Sequence, residues 1–176
     1  MNTNEMDIWD CAEECAFDDF VKKYDKKYLN KQNDYGYTLL HEALSGRHVE
    51  TVMFLIKEGA DVNIQDNWGN TVLYYLAKET MCPPVLMMLT AFLESGADVN
   101  IQNNEGTTPL LAASIKATDE EEMRKFELLL NRNGNIDMEN QFGLSVRKVA
   151  EIHKTKYKNG RLLDFLSKKK CNMENV

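Results

Sequence analysis

Catalysis near neutral pH needs a histidine, a thiol or a perturbed carboxylate held beside a second reactive group. The chain has histidines at 41, 48 and 153 and cysteines at 11, 15, 82 and 171. His48 opens an apolar helical stretch and His153 lies in a basic, polar one. Neither has a Cys or Ser beside it in a nucleophile motif. Cys11 and Cys15 are four apart and share a helical face, but a zinc site would need two further ligands at matched spacing. The cysteines are sparse and unevenly spaced, so the sequence predicts free thiols and not a disulfide framework. The acidic run Asp119-Glu120-Glu121-Glu122 lacks the alternating ligands of a calcium loop and reads as the first turn of a helix. No set of glycines forms a dinucleotide or P-loop motif. These residues predict no enzyme, no metal and no cofactor. The catalytic alternative would fall to His41 or Cys82.

The elements that carry these side chains repeat. Gly36, Gly69, Gly106 and Gly143 each close an Asn/Asp-rich stretch, at steps of 33, 37 and 37 residues. Two residues after each glycine stands a hydroxyl: Thr38, Thr71, Thr108 and Ser145. Asn, Asp and Gly accept the backbone angles of a tight turn, and the following Thr or Ser can cap a helix. A second signature, Gly59-Ala60-Asp61-Val62-Asn63, recurs as Gly96-Ala97-Asp98-Val99-Asn100 and degrades to Asn133-Gly134-Asn135-Ile136-Asp137. Ahead of it, Val49, Val52, Phe54, Leu55 and Ile56 form an apolar helical stripe that Gly59 ends. One unit therefore reads turn, helix, loop, helix, turn. Two short helices cannot bury their apolar sides alone, so neighbouring units must stack.

This pattern resembles the ankyrin repeat, with its 33-residue period and T-P-L-H-x-A signature. The matching segments are Thr38-Leu39-Leu40-His41-Glu42-Ala43, Thr71-Val72-Leu73-Tyr74-Tyr75-Leu76 and Thr108-Pro109-Leu110-Leu111-Ala112-Ala113. The resemblance implies an all-α ankyrin-repeat solenoid of stacked helix-turn-helix units with short β-turn fingers, spanning residues 1–176 as one domain. It divides into an N-terminal capping unit at 7–32, full repeats at 33–65, 66–102 and 103–139, a closing helix pair at 140–170 and a tail at 171–176. Ile8, Trp9, Cys11, Ala12, Cys15 and Ala16 are expected to pack the first unit onto the next. His41 would bond between neighbouring turns. Only the first copy keeps the His and only the third the Pro, which weakens the helix-opening network elsewhere. The extra residues of the longer repeats fit around Met81-Cys82-Pro83-Pro84 and Ala117-Thr118-Asp119-Glu120, between the two helices of their units.

In ankyrin-like proteins the finger tips and inner helices grip other proteins, which implies partner contacts at Asp34, Tyr35 and Tyr37, at Asn67, Trp68 and Asn70, at Asn104 and Glu105, and at Phe142. The residue before the turn glycine is aromatic in three of the four copies: Tyr35, Trp68 and Phe142. Tyr and Trp remove much area from water with few rotors to freeze, as binding hot spots do. The competing expectation folds each ring back onto its neighbouring unit.

Charge and length bound the rest. At 176 residues, the chain holds one domain or a short array. Its net charge is −7, divided as −4 over residues 1–36, −6 over 37–106, −3 over 107–143 and +6 over 144–176. An acidic body repels nucleic acid and attracts a basic protein. The longest apolar run, Val85 to Leu93, is about half of a bilayer span, and the acidic N-terminus is unlike a secretory signal. The expectations are a cytoplasmic chain, monomeric until bound, with no membrane, nucleic-acid or small-molecule ligand. It would inhibit or mask a basic protein, for example as an immunity protein against a toxin. The alternative within binding is an adaptor or host-directed effector that recruits a signalling or degradation factor.

Overall fold

The computed structural model describes residues 7–156 and 158–173, with side chains as far as residue 168. The Cys171 thiol and the Lys169 and Lys170 side chains lie outside the described residues, as does the start of the chain through residue 6. Among the described residues ten α-helices follow one another: α1 (Ile8–Glu14), α2 (Phe17–Lys23), α3 (Leu39–Ser45), α4 (Val49–Lys57), α5 (Val72–Lys78), α6 (Pro83–Glu94), α7 (Pro109–Lys116), α8 (Glu120–Leu130), α9 (Val146–Lys156) and α10 (Arg161–Met173). The only β pairing among the described residues is a single bridge, Gln65 to Thr71. The fold is all-α, of the ankyrin-repeat type. It separates into two compact units, residues 1–76 with 82–98, and residues 77–81 with 99–176.

Each finger has the same local chemistry. Asn33, three residues before the first turn glycine, accepts the backbone N–H groups of Tyr35 and Tyr37 on its Oδ1. Asp66 does the same for Trp68 and Asn70, Asn103 for Glu105 and Thr107, and Asn140 for Phe142 and Leu144. The glycines that complete these turns have φ between 68° and 77°, a region that L side chains avoid. The expected caps form: the hydroxyls of Thr71, Thr108 and Ser145 accept from the N–H three residues on. Thr38 is joined by His41, whose Nδ1 accepts from the Thr38 N–H and pairs with its hydroxyl. Where the second signature degrades, Asn133 takes the left-handed position itself, at φ 62°.

In the first unit α1 packs on α3, α2 on α4, and α4 on α6. Ile8, Cys11, Ala12 and Cys15 are buried as expected, and Trp9 is half-buried against Tyr28. Ala16 is exposed, because it stands in the extended link between α1 and α2, and Phe20 fills the core of this end instead. Pro83 and Pro84 occupy the first turn of α6, where a missing N–H costs nothing. Consecutive repeats are latched by the last Asn of each signature: Asn63 donates to the Gly96 carbonyl and accepts from the Asp98 N–H.

In the second unit α7 packs on α8 and α9, and α9 on α10. Asn100 repeats the latch, bonding the Asn133 carbonyl and the Asn135 N–H. His153, expected in a polar stretch, is buried on the inner side of α9. Lys125 of α8 is 0% exposed; its ammonium pairs with Glu122 at 2.6 Å and donates to the Glu79 carbonyl. Glu122 also accepts from the Met81 N–H, so this buried ion pair anchors the inner loop of the longer repeat. Asp119 caps α8 and the acidic run forms its first turn, as its charge requires.

Candidate protein-binding site

In the first unit the fingers at 33–37 and 66–70 are tied side by side. The Asn67 N–H donates to the Tyr35 carbonyl at 3.1 Å, and the Asn67 amide to the Asp34 carbonyl at 2.8 Å. Gln32 donates to the carbonyls of Gly36 and Gln65. No side chain fits inside the junction: a Cβ on Gly36 would stand 2.6 Å from the Asn67 nitrogen.

This junction brings three of the expected contact residues together. The Tyr37 ring lies 6.2 Å from Tyr35 and 5.8 Å from Trp68, centroid to centroid, tilted by about 40° to each. Tyr35 is 61% exposed and Trp68 50%, so neither ring is folded away into its neighbour. Tyr37 is half-buried and stacks at 13° on His41, with the Tyr75 ring edge-on beyond it. Asp34 and Asn67 are exposed on the same tips.

Asn70 is placed differently from expectation. It is 8% exposed. Its N–H is bound by Asp66, its side-chain amide donates to the Tyr75 hydroxyl, and its carbonyl faces His41 Nε2 at 3.4 Å. Asn70 builds the finger from within and is not offered to a partner. The cause is Tyr75, in the copy that lost the signature His: its hydroxyl donates to Asp66 Oδ2 and draws the finger base onto α5.

Burial shifts several titratable groups of this unit toward their neutral forms. His41 is lowered to about 4 by desolvation, against smaller opposing effects of the Asn70 carbonyl and Asp66. With Nδ1 accepting at Thr38 and Nε2 facing a carbonyl, it is a neutral structural imidazole that bridges adjacent fingers, as the resemblance implied. A base so far below neutrality is poorly matched to proton abstraction. The Tyr75 hydroxyl is raised by burial and by its bond to Asp66. Glu42 is raised to about 7 by burial, with Glu13 adding to the effect, while the Asn33 amide at 2.7 Å opposes it. Cys11 is pushed up to about 12 by burial and by Cys15, which makes it an inert core thiol. Among the described residues no group of three His, Cys, Asp or Glu is placed to hold a metal ion. Cys82, the other catalytic alternative, is exposed at the N-cap of α6.

The second unit carries the remaining expected contacts. Asn104 and Glu105 are exposed on the finger at 103–107, and Phe142 is 64% exposed on the finger at 140–144. Those two fingers are joined as in the first unit, with the Gln141 N–H donating to the Glu105 carbonyl.

The family profile of ankyrin repeats, in three copies, matches residues 8–89, the stretch that holds α1 to α5 and the start of α6. Residues 8–89 of this chain are ankyrin repeats. The chain is 33% identical over 79 residues to an ankyrin repeat-containing protein of Schizosaccharomyces pombe, covering 44% of this chain and 38% of that one. It is 45% identical over 56 residues to a putative ankyrin repeat protein of Acanthamoeba polyphaga mimivirus, covering 31% and 14%. It is 41% identical over 51 residues to a nuclear factor NF-kappa-B subunit of Rattus norvegicus, covering 29% and 5%. The chain thus spans less than two fifths of the length of each of these relatives. Ankyrin repeats are a protein–protein interaction module, and the family is in general a non-catalytic scaffold. Among the described residues no ankyrin helix is long and apolar enough to cross a membrane.

Sequence reasoning passed over the residues that hold the ankyrin fingers in shape. The Asx role of Asn33, Asp66, Asn103 and Asn140 had a signal, a side-chain acceptor three residues before each turn glycine. The burial of Glu42 and Asp66 had none, because it depends on what packs over them.

Proposed function

We propose that this ankyrin chain is a non-catalytic binding protein that grips a basic protein on the paired fingers of its first unit and masks the surface it covers. The observation that supports this reading is the pair of exposed rings, Tyr35 and Trp68, held on a common aromatic base by backbone bonds between the fingers. Preorganised aromatic rings with few rotors suit a hot spot. Electrostatics selects the sign of the partner. Residues 1–76 with 82–98 carry a net charge of −9, whereas residues 77–81 with 99–176 carry +2. Such a field speeds encounter with a basic surface and slows it with an acidic one. An immunity protein that neutralises a basic toxin such as a nuclease is one concrete form of this activity. A cytoplasmic setting and a monomeric unbound state belong to the same proposal.

The test is affinity capture from the native cell with the wild-type chain and with Trp68→Ala as parallel baits, followed by kinetics on the captured partner. A hot spot loses about 2 kcal/mol or more of affinity on truncation, while the half-exposed ring leaves the melting temperature nearly unchanged. Added salt should slow association more than it speeds dissociation. Unchanged affinity for Trp68→Ala, or a salt-insensitive association rate, would refute the assignment of this face.

A further inference from the structure

Resting on the reading above that the first unit takes a basic partner, we infer that the Tyr35, Tyr37 and Trp68 rings are a seat for one arginine side chain of that partner. Three observations carry this. First, the rings form an open, tilted floor: Tyr37 is the base, Tyr35 and Trp68 flank it at 6.2 and 5.8 Å, and both flanking rings are exposed. A planar guanidinium stacks on such faces and is easier to strip of water than an ammonium, which has to surrender a tightly held shell.

Second, the charged side chains of the two fingers, Asp34 and Asp66, are both acidic. His41, directly under Tyr37, is neutral, so it does not repel a cation. Asp34 is exposed beside Tyr35 and follows Asn33 in the same finger. Asp66, at the base of the neighbouring finger, accepts from the Trp68 and Asn70 N–H groups and the Tyr75 hydroxyl, none of which is a charged donor. A purely apolar side chain would gain the ring contact but nothing from these two carboxylates. Third, the same unit already uses this interaction: the ammonium groups of Lys27 and Lys31 lie 5.0 and 5.3 Å from the centre of the Tyr28 ring. There the cations are the chain's own lysines; at the finger tips the same ring chemistry is offered on an exposed surface.

The experiment titrates the full chain with three peptides of equal length, hexa-arginine, hexa-lysine and the uncharged hexa-citrulline. The readout is the indole N–H resonance of Trp68, identified by its disappearance in Trp68→Phe. Hexa-arginine should shift this signal and bind about threefold or more tighter than hexa-lysine, with hexa-citrulline far weaker than either. Tyr35→Ala should lower the arginine peptide's affinity about threefold or more and remove most of its advantage over lysine, and Asp34→Asn should weaken both cationic peptides. Equal affinity for the arginine and lysine peptides, insensitive to Tyr35→Ala, would overturn the arginine seat while leaving a basic partner in place. Failure of both cationic peptides to move the Trp68 signal would overturn the seat together with the basic-partner reading.

Discussion

Glu42 offers a sharp test of how the first finger is held. Its carboxylate is 8% exposed, accepts from the Asn33 amide, and is raised from 4.5 to about 7, chiefly by burial. A folded-state value above the unfolded one means that folding takes up a proton. The associated stability is therefore complete below about 4.5 and is lost as pH rises through about 7. The shift corresponds to at most about 3 kcal/mol, of which about 2 kcal/mol is lost between about pH 5.5 and pH 8. His41 works in the opposite sense: lowered from 6.5 to about 4, it contributes stability above 6.5 that is lost as pH falls toward 4. The two nearly cancel in the wild-type curve between these limits, so the wild type alone is uninformative. Glu42→Gln keeps an oxygen for the Asn33 amide and removes the charge. In urea denaturation followed by far-UV circular dichroism, the stability of Glu42→Gln relative to wild type should rise by about 2 kcal/mol from about pH 5.5 to pH 8. An unchanged difference between the two pH values would show that Glu42 does not titrate in this window and would refute the assigned burial effect.

Gly36→Ala and Gly59→Ala both place a side chain at positive φ, 77° and 88°, but only the first meets the neighbouring finger, 2.6 Å from the Asn67 nitrogen. Chemical denaturation should therefore show about 1–2 kcal/mol lost at Gly59 and distinctly more at Gly36; equal losses would remove the close finger junction. Lys125→Met leaves Glu122 buried without its cation and should cost about 3–5 kcal/mol. The double variant Lys125→Met/Glu122→Gln, which keeps an acceptor for the Met81 N–H, should recover part of that loss, and an additive double variant would contradict the pairing. At Trp68, truncation should divide cleanly between the two measurements described above, affinity falling and melting temperature holding, since the ring is half exposed.

Much of this molecule was legible because ankyrin turns are local chemistry. An Asn or Asp, a glycine three residues later and a hydroxyl two beyond it specify an Asx-closed turn and a capped helix from within a handful of residues. Recurrence of that set revealed the repeat, the positions of the paired helices and the loops that absorb the extra residues. The exposure of Tyr35, Trp68 and Phe142 also accords with their place at the turn tips.

Other features were decided only by tertiary packing. Asn70 sits at a tip by position, yet the Tyr75 hydroxyl reaching Asp66 draws it under cover, and no pattern around residue 70 signals a bond arriving from the next helix. Glu42 and Lys125 look like ordinary polar helix positions in sequence, yet both are buried, Glu42 bonded to Asn33 of the finger that precedes its helix and Lys125 to the inner loop at Glu79. The aromatic tips look equivalent along the chain, but Tyr35 and Trp68 share one compact unit and Phe142 lies in the other. Backbone turns are settled by immediate neighbours along the chain, whereas burial and side-chain companionship depend on residues on other elements, 9 positions away for Tyr75 and Asp66 and 46 for Lys125 and Glu79, which no local pattern encodes.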